Sequence, residues 1–217
     1  MTDIARRQDE LRKLLTSAKV VPVLTIARAA DAVPLARALV AGGVRTLEIT
    51  LRTAAAIDAA RAVIAEVPDA VVGIGTVLSA ADFEQARKLG ARFAVSPGAT
   101  PALLGAAADS DLPLLPGVAT ASEVMQAREQ GFDTLKFFPA EQAGGRAMLR
   151  AWAGPFPDLR VCPTGGIGEA NAAEWLSEPS VLAVGGSWLC PASLVRAGDW
   201  AGITAMCART MKSLSVG

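Results

Sequence analysis

Histidine is absent from the 217 residues. That removes the commonest metal ligand and the commonest general base together, and Ser-His-Asp and Cys-His catalysis are excluded with it. Cysteine is scarce. Cys162, Cys190 and Cys207 are an odd, widely spaced set without a C-x-x-C pair, which does not read as a disulfide framework. Net charge is lacking too: Lys and Arg together number 21, as do Asp and Glu. Nothing in that balance suggests a nucleic-acid or anionic-membrane partner. No uncharged apolar run reaches the roughly 18 residues of a membrane span. The opening stretch, MTDIARRQDELRKLLTSAK, has no apolar signal-peptide core. It alternates charges on a helical pattern that sets Leu11, Leu14 and Leu15 on one face. A cytoplasmic protein is the expectation. Any catalysis must run on carboxylates, lysine, hydroxyls or thiols.

What the chain does contain is apolar sequence, 52% by residue. That suffices for one sizeable core, so a single domain over residues 1–217 is expected. Short apolar, often β-branched runs alternate with Ala-rich helical ones. Strands are expected at 20–27, 45–50, 71–75, 92–96, 112–117, 133–138, 159–166 and 181–186. Helices are expected at about 32–43 with Asp31 as N-cap, 54–66, 80–90 capped by Ser79, from Pro101 onward, 122–131, 144–153, 169–176 and 199–214. Alternation of this kind means a parallel sheet with buried strands. Eight such units point to a (β/α)8 TIM barrel, with residues 1–18 an additional N-terminal helix across its bottom. A doubly wound open sheet is the alternative, although it usually has fewer strands at this length. In a barrel, the chemistry lies at the C-terminal strand ends.

Of the five lysines, only Lys136 lies within an apolar strand, Thr134-Leu135-Lys136-Phe137-Phe138. Burial penalises an ammonium, and a buried lysine that sheds its proton can attack a carbonyl. The plainer alternative is a structural ion pair. In the second strand, Glu48, Thr50 and Arg52 share one face if extension persists that far. Glu48 could shuttle protons and Arg52 could bind a carboxylate; equally, the two could form a structural pair. Gly73 and Gly75 would leave space inside, with the Thr76 hydroxyl at the mouth. Ser96-Pro97-Gly98 reads as a turn that also walls the pocket. The seventh and eighth strands end in Gly165-Gly166 and Gly185-Gly186-Ser187, where barrels commonly hold a phosphate.

Eight segments, in order, carry a resemblance: VPVL (21–24), AGGVRTLEITLRT (41–53), VGIGTVL (72–78), SPG (96–98), LKFFPAE (135–141), GPF (154–156), CPTGGI (162–167) and GGSWL (185–189). The sequence resembles the 2-keto-3-deoxy-6-phosphogluconate (KDPG)/4-hydroxy-2-oxoglutarate (KHG) aldolases from about residue 16 to the last helix. The resemblance implies a class I, metal-independent and cofactor-free aldolase, usually homotrimeric, on a (β/α)8 barrel. It splits a phosphorylated 2-keto acid into pyruvate and glyceraldehyde 3-phosphate in the Entner-Doudoroff pathway, and extends to 4-hydroxy-2-oxoglutarate. It makes Lys136 the Schiff-base lysine and Glu48 the general acid/base. Arg52 and Thr76 would bind the keto-acid carboxylate, while Phe138 and Pro97 would line the pocket. Thr164 joins the substrate-binding set, and Gly165, Gly166, Gly185, Gly186 and Ser187 match the phosphate end. A related aldolase takes the 6-phosphogalactonate epimer, but Thr50-Leu51-Arg52 and Pro163-Thr164-Gly165-Gly166 look like the gluconate type. A barrel that binds phosphorylated metabolites without covalent chemistry is the remaining alternative.

Overall fold

The structure is a computed structural model that describes residues 3–215; residues 1–2 of the expected N-terminal helix, and 216–217 of the expected domain, lie outside them. In chain order the elements are α1 (Asp3–Ala18), β1 (Val20–Leu24), a 3-10 turn (Ala29–Asp31), α2 (Ala32–Ala41), β2 (Thr46–Thr50), α3 (Ala56–Glu66), β3 (Val71–Gly75), α4 (Ala80–Lys88), β4 (Phe93–Val95), α5 (Pro101–Ala108), β5 (Leu114–Leu115) and β6 (Gly117–Val118). There follow α6 (Ala121–Glu129), β7 (Thr134–Phe137), α7 (Gly145–Trp152), β8 (Arg160–Pro163), α8 (Ala172–Leu176), β9 (Val184–Gly186), α9 (Ala192–Ala197) and α10 (Trp200–Ser215).

This is an α/β fold whose parallel sheet curls into a half-barrel. Six strands run in the order β5-β4-β3-β2-β1-β9, and three more in the order β6-β7-β8. Every strand pairing is parallel. Isolated bridges link Val161 of β8 to Val181, just before β9, and Thr164, just after β8, to Gly185 within β9. The strands are buried on both sides, which is why they read as unbroken apolar runs rather than alternating ones.

The expected fifth strand, 112–117, divides in two at Pro116. Proline has no N–H to give a ladder. Leu114 and Leu115 pair with β4, whereas Gly117 and Val118 pair with β7. The Pro116 carbonyl accepts from the Lys136 N–H at 2.8 Å. Asp31 does not cap α2 as expected: its carboxylate takes both ends of the Arg28 guanidinium, at 2.8 and 2.6 Å. Ser79 does cap α4, accepting from Asp82 N. Thr100 caps α5, with Pro101 in its first turn. Thr120 and Glu123 form a capping box on α6. The expected helix from 169 begins only at Ala172, and α9 is an element that the periodicity does not reveal. Among the described residues no helix is long and apolar enough to cross a membrane.

Two cores result. The larger lies between strands and helices. The smaller is enclosed by the strands themselves and joins Val21, Phe93, Val95, Leu115, Cys162 and Ala183 to Leu11 and Leu15 of α1. So α1 covers the N-terminal ends of the strands and plugs the space inside them. Two buried polar side chains fasten it. Arg7 donates to the Ala107 and Ala108 carbonyls at the end of α5 (3.4 and 2.7 Å), where a cation suits the helix dipole. Gln8 donates to Leu114 O (3.2 Å) and accepts from Thr134 N (3.0 Å), completing both β5 and β7 at their starts. Gln8→Ala leaves those strand groups buried and unpaired. It should therefore lower unfolding free energy by about 2 kcal/mol, measured as a lower urea midpoint, with kcat unchanged.

Candidate active site

Directly above the strand-enclosed core, β2 and β7 each place one charged side chain inside. Glu48 and Lys136 are each 3% exposed. Lys136 Nζ donates to Glu48 Oε1 at 3.4 Å. A buried charge needs a partner, and each supplies the other's. The room for the carboxylate comes from β3. A side chain at Gly75 would run into the Glu48 carboxyl group, and one at Gly73 into the Phe93 ring. Both glycines face inward, as their spacing suggests. Thr50 also faces Glu48's side of β2, but its hydroxyl is engaged, donating to Leu24 O at 2.8 Å and so tying β2 to β1.

Four further expected residues lie just past strand ends. Phe138 lies just past the end of β7, its ring centroid 5.2 Å from Lys136 Nζ, a cation–π distance. Arg52 lies two residues beyond β2 on an exposed edge, and its Nε donates to Thr76 Oγ1 at 3.0 Å. Thr76 has φ 60°, a left-handed conformation unusual for a β-branched residue. Such strain costs on the order of 1–3 kcal/mol and persists only where neighbours hold it. Here the flanking groups do so: Leu51 N bonds to Gly75 O at 2.9 Å and Val77 N to Val95 O at 3.1 Å. The Pro97 turn is pressed against Gly117, where any side chain would meet the Pro97 carbonyl.

The two glycine turns adjoin each other. Thr164 N donates to Phe137 O at 2.9 Å on the β7 side, while Thr164 bridges Gly185 on the other. Gly185 lies against the Thr164 hydroxyl and Gly186 beneath the Trp188 ring, which leaves neither position room for a side chain. Ser187 is exposed and edges a cavity of about 760 Å³ that also takes in Thr25, Ile26, Arg28, Cys190 and Val195.

Sequence reasoning passes over Cys162, which stands opposite Lys136 in the β7–β8 register. Its inward position follows from the strand period, two residues before Thr164. Burial pushes this thiol up to about 12, although the Lys136 charge pulls the other way. Burial also raises Cys190 to about 12 and Cys207 to about 11. Thiols so placed stay protonated near neutrality and make poor nucleophiles. The amine of Lys136, by contrast, is buried with a carboxylate within reach.

The model of the family described as KDPG and KHG aldolase matches residues 11–206. The chain belongs to that family. It is 52% identical over 191 residues to the KHG/KDPG aldolase of Escherichia coli (strain K12), covering 88% of this chain and 90% of that protein. It is 49% identical over 201 residues to the 2-dehydro-3-deoxy-phosphogluconate aldolase of Pseudomonas aeruginosa, covering 93% and 91%. The KDPG aldolase of Legionella pneumophila, solved with pyruvate captured at low pH as a covalent carbinolamine intermediate, superimposes with a TM-score of 0.90. It is 45% identical, with 92% of this chain and 97% of that one covered. In this aldolase, then, AGGVRTLEITLRT and LKFFPAE carry the Lys136–Glu48 pair, VGIGTVL makes room for it, and CPTGGI and GGSWL carry the two glycine turns.

Proposed function

We propose that the chain is a class I aldolase that cleaves KDPG to pyruvate and glyceraldehyde 3-phosphate through a Schiff base on Lys136. The observation that carries this reading is the buried amine–carboxylate pair, 3.4 Å apart, at the inner end of an open strand rim. The Legionella relative holds pyruvate as a carbinolamine, the adduct that an amine forms with a keto group.

The steps follow from the geometry. Once its proton has passed to Glu48, the Lys136 amine adds to the C2 ketone of the substrate. The carbinolamine loses water to give an iminium. With its carboxylate restored, Glu48 takes the proton of the C4 hydroxyl, and the C3–C4 bonding electrons move into the iminium. The aldehyde phosphate leaves and an enamine of pyruvate remains. Glu48 returns its proton to C3, and water hydrolyses the imine, freeing pyruvate and Lys136. One carboxyl group thus alternates as base and acid. Arg52, held by Thr76, takes the substrate carboxylate and so turns the ketone toward Lys136. Phe138 and Pro97 wall the three pyruvyl carbons. Thr164, Gly165, Gly166, Gly185, Gly186 and Ser187 take the phosphate end.

An eightfold (β/α) barrel and a single domain belong to the same reading. Counting β5 and β6 as one strand gives eight. The bridges between β8 and the β9 segment support a ring in which each strand has two neighbours.

Borohydride added with pyruvate should reduce the imine and fix one pyruvyl adduct per chain on the Lys136 peptide, read by mass spectrometry. Labelling of another lysine, or no labelling, rules the covalent assignment out.

A further inference from the structure

The LKFFPAE segment ends in Glu141, which none of the steps above uses. Its backbone and side chain both reach the glycine turn after β8. Ala140 N donates to Thr164 O at 2.8 Å and Glu141 N to Gly165 O at 3.1 Å. The third carbonyl of the turn, Gly166 O, accepts from Asn171 Nδ2 at 3.1 Å. Asn171 Oδ1 accepts from Gly168 N at 2.9 Å, and Asn171 Nδ2 also reaches Glu141 Oε1 at 3.3 Å. The same Glu141 oxygen accepts from Trp175 Nε1 at 2.9 Å. Trp175 is fully buried and tilted against Phe137, the residue after Lys136. A buried indole N–H needs an acceptor, and Glu141 provides it. The Glu141 side chain also lies on Gly166, so that any side chain at 166 would collide with it.

This arrangement fixes more than a loop. A trans peptide is planar, with its N–H pointing opposite to its C=O. Holding the carbonyls of Thr164, Gly165 and Gly166 on the β7–α8 side turns the N–H groups of Gly165, Gly166 and Ile167 the other way. For Gly165, next to the Thr164–Gly185 bridge, that direction is toward β9. The φ values of Gly165 and Gly166, 105° and 76°, are those the orientation requires, and only glycine takes them readily.

We infer that Glu141 and Asn171 form a clasp that aims the backbone N–H groups of the β8 turn at the substrate phosphate. They are positioning residues that set affinity for the phosphorylated end and leave the lysine chemistry alone. The inference rests on the aldolase reading above, and its test separates the two.

Glu141→Ala and Asn171→Ala are compared with the intact chain in two measurements. One is KM and kcat for KDPG. The other is the pyruvate concentration that half-saturates borohydride trapping, which involves no phosphate. A clasp raises KM for KDPG about tenfold or more while the pyruvate half-saturation stays within about twofold. Inorganic phosphate should weaken as a competitive inhibitor in step with KM. Glu141→Gln keeps an acceptor oxygen for Trp175 and Asn171, and should restore KM to within about threefold of the intact chain. A general packing role would shift both measurements together; that result, or no shift in either, overturns the clasp. So does a Gln variant as impaired as the Ala variant. If Glu141→Ala does not fold, Asn171→Ala carries the test, because among the described residues Asn171 is the donor that holds Gly166 O. An intact chain that traps no pyruvate sinks the aldolase reading and the clasp with it. An intact chain that traps pyruvate, with variants that show no split, sinks the clasp alone.

Discussion

Lys136→Met should abolish KDPG cleavage, lowering kcat on the order of 10⁶-fold, the scale on which loss of a covalent nucleophile acts. Methionine matches the length of the lysine stem and suits the apolar surroundings of β7, so lost packing is a small part of the effect. The larger structural effect falls on Glu48, which is left 3% exposed with no cation beside it. Breaking a buried pair from one side costs about 3–5 kcal/mol. The variant should therefore be inactive and also less stable, with a lower denaturant midpoint. Adding Glu48→Gln to Lys136→Met removes the stranded charge and should recover part of that stability without recovering any activity. A double variant no more stable than Lys136→Met would show that the carboxylate left without Lys136 is not what destabilises that variant. Detectable turnover in Lys136→Met would remove the covalent route.

Glu48→Gln alone should slow KDPG cleavage by about 10²–10⁴-fold, the usual contribution of a positioned general acid–base group. Glutamine fills the same volume beside Gly75, so the site should keep its shape. Lys136 remains present, and borohydride should still trap pyruvate on it, more slowly. The informative measurement is exchange of the pyruvate methyl protons in D₂O, followed by proton NMR. That exchange needs only the imine and the carboxyl group that moves the C3 proton. It should fall in parallel with cleavage. Exchange at the original rate would place the proton carrier elsewhere.

The parts of this fold that are legible in sequence are those whose determinants are local. VVGIG becomes β3 over its full length, 71–75. Ser79 and Pro101 mark their helix starts because a cap and an N1 proline act within one turn. Other features depend on partners that local pattern does not specify. The run 112–117 is uniformly apolar, yet its halves pair with different strands. Asp31 has the right identity for a cap, but Arg28 offers it a guanidinium three residues away, and polar side chains take whichever local partner wins. The six residues of α9 are too few to show a period. In the site, Lys136 and Glu48 are each conspicuous as charges within apolar strands, but nothing in either segment says that they meet. Glu141 looks like an ordinary surface acid, because the indole and the amide that it serves lie 34 and 30 residues away.

The reacting pair also sits on a seam. Glu48 belongs to the six-stranded sheet and Lys136 to the three-stranded one, 88 residues apart in the chain. Contacts of such separation are slow to form, since the entropy of closing the intervening chain must be met first. Neither sheet holds more than half of this chemistry by itself. Activity regained during refolding is thus a clock for the joining of the two sheets, and it runs later than any signal from the helices.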